Sequence, residues 1–140
     1  MFDENRADYV CEFLSLLAFG SGEWAGKPFQ LQPWQRDPLR EFYGTLETDW
    51  EANRRFRLFQ YLYLEIPKKN GKSELAAALG LYHLFGDGEL NAEVYICAAD
   101  KDQAAIIFNN AHFMLKTAPW TAKMIARGEL NVTESRRLIE

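Results

Sequence analysis

The chain has 140 residues, of which 48% are apolar and 14% aromatic, and its formal net charge is −4. This suits one domain with a sizeable core, and the acidic balance excludes a general attraction to nucleic acid or an anionic membrane, so any contact with a phosphate backbone must be local. The longest apolar-rich run, residues 75–85, contains His83 and falls short of the roughly 20 residues of a membrane helix, while the polar start MFDENRADY lacks the pattern of a secretory signal, so a soluble cytoplasmic protein is expected.

In chain order, Tyr9, Val10, Phe13, Leu14 and Leu17 recur at helical spacing within residues 3–19, and Gly20 with Gly22 should stop that helix. Cys11 within it and the distant Cys97 form no C-x-x-C pair and are expected to be buried thiols. After the linker GSGEWAGKPF, Pro33 opens a second helix in which Trp34, Leu39, Phe42 and Tyr43 share a face and Pro38 should introduce a kink. Residues 1–50 thus form a helical amino-terminal segment. Charged residues from 47 to 57 should make a solvated connection. Residues 56–66 are β-rich and almost continuously apolar, the pattern of a central parallel strand buried on both faces.

A helix over 73–85, apolar nearly all round, should follow, with GDGE ending it. AEVYICAA, residues 92–99, reads as a second buried strand, and 101–116 as a helix carrying Ala104, Ile107, Phe108, Ala111 and Leu115 on one stripe, closed by Pro119. The tail ELNVTESRRLIE suggests a short strand, a turn and a further strand. Strand, helix, strand, helix implies an α/β fold with a parallel sheet, whose ligands gather at the carboxyl ends of its strands. Residues 56–140 would form an incomplete core of this kind.

The stretch EIPKKNGKSELAAA carries the chemistry. In a phosphate loop a strand enters a tight turn of backbone N–H groups, and the next helix points its positive end at the phosphates, a geometry encoded by G-x-x-x-x-G-K-[ST]. Gly71, Lys72 and Ser73 supply the end of that pattern, but Ile66 stands where its first glycine belongs. Pro67, through its fixed φ, and Asn70, through its tolerance of left-handed backbone, can shape the turn instead. Lys72 would then reach the β and γ phosphates and Ser73 a Mg²⁺ ion. The competing reading is a basic solvated turn with Ser73 capping a helix; strand before and helix after favour phosphate binding. Asp100 could be the magnesium acid, yet Gln103 three residues on makes it a helix cap, and Glu65 is expected to pair with a nearby lysine.

FDENRADYVCEFLSLL, GEWAGKPFQLQPWQ, EIPKKNGKSELAAALGLYHLFGDGE and AEVYICAADKDQAAIIFNNA together resemble the amino-terminal ATPase region of the large terminase subunit of tailed bacteriophages, in the same order and over most of the chain. The resemblance implies a P-loop NTPase (RecA-like) fold that binds ATP and Mg²⁺ through Pro67, Lys69, Asn70, Gly71, Lys72 and Ser73. In this family the loop commonly lacks its first glycine, which accounts for Ile66. It also implies that Gln35 of LQPWQ reads the adenine edge, although as a bare residue Gln35 reads as a surface helix position. Family members often have arginine after the loop proline, acting on the γ phosphate; here that residue is Lys68, which keeps the charge but not the planar fork.

By the same resemblance the partners are double-stranded phage DNA, the portal and the small terminase subunit, the working form is a homo-oligomeric ring, and the site of action is the bacterial host cytoplasm. The acidic Walker B strand and the nuclease domain of the family have no counterpart in these residues, so nucleotide binding is expected, hydrolysis by this chain alone is not, and self-association through uncovered strand edges is. Lys116, Lys123, Arg127, Arg136 and Arg137 make the late segment locally positive, the pattern of a solvated face. Two rival readings are an inactive remnant of a prophage terminase gene and another small P-loop enzyme with Asp100 as its metal acid.

Overall fold

A computed structural model describes residues 1–20, 22–134 and 137–139 of the chain. Helix α1 (Glu4–Ser15) starts at Asp3, whose side chain accepts from the Arg6 amide, and buries Ala7, Val10, Phe13 and Leu14. It ends well before Gly20, because residues 17–19 turn to pair with 27–29: the Phe19 amide donates to the Lys27 carbonyl and the Phe29 amide to that of Leu17, both at 2.9 Å. Helix α2 (Pro33–Gly44) is continuous through Pro38, burying Leu39 and Tyr43 against α1 while Trp34 stays half-exposed. Arg40 pairs with Glu4 and Asp8 across these two helices.

The charged connection is ordered. Strands β1 (Leu46–Asp49) and β2 (Arg54–Arg57) pair antiparallel, Leu46 opposite Arg57 and Asp49 opposite Arg54. The Asp49 carboxylate accepts from the Glu51 and Ala52 amides, and Asn53 turns left-handed, a closure that charge composition does not reveal.

Helix α3 (Lys72–Leu81) runs into a π-helical turn (Tyr82–Gly86) and packs on α4 (Lys101–Thr117). Pro119 both closes α4 and opens α5 (Pro119–Ala126), a helix absent from the sequence reading. Trp120 fastens α5 to the end of α1, its indole donating to the Leu16 carbonyl at 3.0 Å. The expected tail hairpin is present as β3 (Val132–Thr133) and β4 (Leu138–Ile139). One core joins α1 to α4, with Leu14, Leu39, Leu75, Leu81, Met114 and Leu115 at its centre.

The observed architecture is α/β, with helices and small antiparallel sheets. Among the described residues the runs 58–66 and 92–99 make no ladder. The first is not buried on both faces. Leu62, Leu64 and Ile66 lean on the core, whereas Tyr61 and Tyr63 are 92% and 86% exposed. A run of β-formers lacking neighbours on its edges buries only the face a helix covers. Tyr95 and Cys97 are likewise exposed and Cys11 is only half-buried, so neither cysteine is the buried thiol expected. No helix among the described residues is long and apolar enough to cross a membrane.

Candidate functional site

The loop entering α3 has a definite shape. Ile66 packs against the core, and its φ is not positive, so the freedom of a glycine is not needed there. The left-handed residues are Lys69, at φ +67°, and Gly71, at φ +69° and ψ +20°. Asn70 does not take the left-handed conformation expected of it. Its amide instead donates to the Pro67 and Lys68 carbonyls, at 3.3 and 3.2 Å, and ties the turn together, leaving Lys69 to bear a conformation that costs an L residue about 1 kcal/mol.

Gly71 occupies the N-cap position of α3, and no side chain caps that helix, whereas α1 and α4 are capped by Asp3 and Asp100. The ammonium-bearing Lys68, Lys69 and Lys72 are all exposed around this turn, and Ser73 is half-buried in the first turn behind it. Cations and a helix start without a side-chain cap at one place favour an anion. A Cβ on Gly71 would meet only the Glu74 carboxylate, at 3.7 Å, and the Gln35 amide nitrogen, at 4.0 Å.

The last distance corrects the surface reading of Gln35. Its side chain is 8% exposed and sits beside the loop. Its Oε1 accepts from the Gln32 amide at 2.9 Å, which fixes the carboxamide at the start of α2 with its nitrogen toward Gly71. Glu74 also flanks the loop and went unnoticed in the sequence, although an acid in the first turn of a helix is a recognisable signal. Lys72 lines an open groove of about 540 Å³ with Leu62, Leu64, Ile66, Leu75 and Leu79.

Asp100 is a cap: one carboxylate oxygen accepts from the Asp102 and Gln103 amides at 2.9 and 2.8 Å. Glu65 is exposed and, among the described residues, makes no ion pair with the lysine expected for it. Of the late bases, Lys116 faces Glu134, Arg127 faces Glu129 and Arg137 donates to the Lys101 carbonyl. Arg136 lies outside the described residues. Among those described, no three side chains of metal-ligating type cluster.

The family described as terminase large subunit, ATPase domain, matches residues 33–138, from the first residue of α2 to the last hairpin. The chain belongs to that family. It is also similar to a protein of Enterobacteria phage HK97 named terminase, large subunit, with 33% identity over 117 residues. That match covers 81% of this chain and 21% of the relative, so the chain spans about a fifth of its length. No solved structure matches. The family region begins at α2, so Gln35 and the loop fall inside it and α1 falls outside.

A second polar group escaped the sequence reading. The Tyr43 hydroxyl lies 2.8 Å from His83 Nε2, His83 Nδ1 lies 3.1 Å from the Asp87 carboxylate, and Arg57 Nη1 lies 3.2 Å from the same oxygen. Arg57 returns over the Tyr43 ring, its guanidinium carbon 5.5 Å from the centroid. The hydrogen bond from His83, reinforced by the charge of Arg57, holds the Asp87 carboxyl below its ordinary range although burial opposes this, and burial pushes the Tyr43 and Tyr82 phenols upward. The spacing of His83 and Asp87, four residues apart, was the available signal.

Proposed function

We propose that this chain is the ATP-binding part of a phage or prophage DNA-packaging motor. The observation that carries the reading is the left-handed Gly71, set among Lys68, Lys69 and Lys72 at an uncapped helix start with the Gln35 amide beside it, within an ATPase-domain family. In this reading the backbone from Pro67 to Gly71, including Lys69 and Asn70, surrounds the phosphates. Lys72 neutralises the β and γ oxygens, Lys68 acts on the γ phosphate, and the Ser73 hydroxyl serves Mg²⁺. Gln35 reads the adenine edge. The donor set fits a polyphosphate, being rich in cations and amide hydrogens, and the Ser73 hydroxyl would be the residue to hold Mg²⁺, which would supply charge neutralisation at the phosphates.

Catalysis of this kind is positioning and charge stabilisation, so Lys72 and Lys68 prepare the transferred group and an acid beyond this set orients the water. The capping role of Asp100 favours this reading over a small kinase that uses Asp100 as its metal acid. In the complete protein the runs 58–66 and 92–99 take their places as parallel strands of a RecA-like sheet. Hydrolysis there drives double-stranded DNA into the capsid in the host cytoplasm, with portal and small terminase subunit as partners and a homo-oligomeric ring as the working form.

The test is an equilibrium titration with a fluorescent ATP analogue and Mg²⁺. Lys72→Ala should weaken binding about tenfold or more. Equal affinities in the two proteins would reduce the loop to a basic turn.

A further inference from the structure

We infer that Tyr43, His83, Asp87 and Arg57 form a latch that sets the position of Gln35 relative to the phosphate loop, and so governs base selectivity rather than phosphate affinity. The inference rests on the reading of Gln35 and Gly71 as a nucleotide site. Its own support is geometric. Gln35 and Tyr43 lie at opposite ends of α2, about 12 Å apart along its axis, and Gly71 and His83 bracket α3. The residues flanking α3 meet α2 near both of its ends: Gln35 is beside Gly71 at one, and Tyr43 bonds His83 at the other.

Between these points α2 packs on α1 while α3 packs on α4, and the π turn that continues α3 touches α1, so the two helical pairs meet at that end. The latch lies at this junction, and it is closed on itself. Asp87 after the π turn, itself paired with Arg57 of β2, holds His83 from one side, and Tyr43 holds it from the other. A carboxylate only accepts, so the Nδ1 that faces it carries a proton. The rings of Tyr43, Tyr82 and Phe13 back this junction edge to face, with centroids 5.1 and 5.5 Å apart. Gly86 permits the close approach, since a Cβ there would meet Phe13 and Tyr82 carbons at 2.8 Å.

Tyr43, His83, Asp87 and Arg57 are therefore positioning residues. Loss of the latch lets α2 shift against α3, which moves the carboxamide of Gln35 relative to the base and leaves the loop with its own tether through Asn70.

The experiment compares wild type with Tyr43→Phe, which keeps the ring and removes only the hydroxyl, and with His83→Ala. For each, a fluorescent ATP analogue is bound in the presence of Mg²⁺ and displaced by ATP, GTP or inorganic tripolyphosphate. The expected result is a preference of wild type for ATP over GTP that falls about fivefold in both variants, with tripolyphosphate affinity unchanged. If His83→Ala does not fold, as judged by circular dichroism, Tyr43→Phe decides. A wild-type preference that Tyr43→Phe retains in full overturns the latch alone. Equal losses of ATP, GTP and tripolyphosphate affinity overturn it too, because they mean a general loss of structure. A wild type that fails to distinguish ATP from GTP removes the reading of Gln35, and the latch falls with it.

Discussion

Replacing Gly71 by alanine separates backbone geometry from steric fit. A Cβ at this position would make ordinary contacts, 3.7 Å to Glu74 and 4.0 Å to Gln35, so the penalty comes from the left-handed backbone at φ +69°. That conformation costs an alanine about 1–2 kcal/mol. The loss of chain entropy in the unfolded state returns about 0.4–1 kcal/mol, leaving a net destabilisation of about 1 kcal/mol and a fall in melting temperature of about 4 °C.

Gly88 is the control, because it too is left-handed, at φ +76°, with nothing within 4 Å of its Cβ position. Gly88→Ala should show a similar thermal shift. Only Gly71→Ala should also weaken the fluorescent ATP analogue, by about tenfold, because relaxation of residue 71 turns amide donors away from the phosphates. Calorimetry and an equilibrium titration on the two variants give both quantities. Similar melting shifts with similar, unaltered affinities would refute the argument that this backbone conformation exists to meet an anion.

Asp100→Ala should cost about 1 kcal/mol through loss of the α4 cap and leave the Mg²⁺ dependence of nucleotide binding unaltered; a magnesium-specific loss in the titration would make Asp100 a metal ligand after all. The Asp87 carboxyl, held below its ordinary value by His83 and Arg57, contributes stability that is present above about pH 4 and is lost as pH falls through the folded value. Melting temperatures across that range should therefore fall more steeply for wild type than for Asp87→Asn, and parallel curves would contradict this assignment. In the complete motor, Lys68→Arg should raise ATP turnover about tenfold if this residue acts on the γ phosphate, since the guanidinium grips two oxygens at once; steady-state rates without gain would remove Lys68 from that role.

Helices α1 to α4 were legible because their signals are local, whereas α5 was not. Asp100 announces α4 by capping, and the stripe of Phe108, Ala111 and Leu115 specifies its buried side. The pair Gly71-Lys72 was legible for a similar reason, since a left-handed turn before a helix needs its glycine at one fixed place. What escaped depends on distant partners. Residues 56–66 have the composition of a strand covered twice over, but composition does not say whether neighbours are there to cover it, and Tyr61 and Tyr63 face water. Gln35 is buried beside Gly71, far along the chain, and the Tyr43–His83 bond joins residues 40 positions apart. Only the chain's folding brings those together.

The bare start of α3 has a thermodynamic consequence. A helix whose first turn has no side-chain cap keeps part of its ordering free energy outstanding, and a bound anion supplies it. Nucleotide should therefore slow hydrogen exchange at the first amides of α3 more than at those of α4, where Asp100 already serves. The ligand would act as the missing cap of that helix, and release of phosphate would leave its first amides to exchange faster.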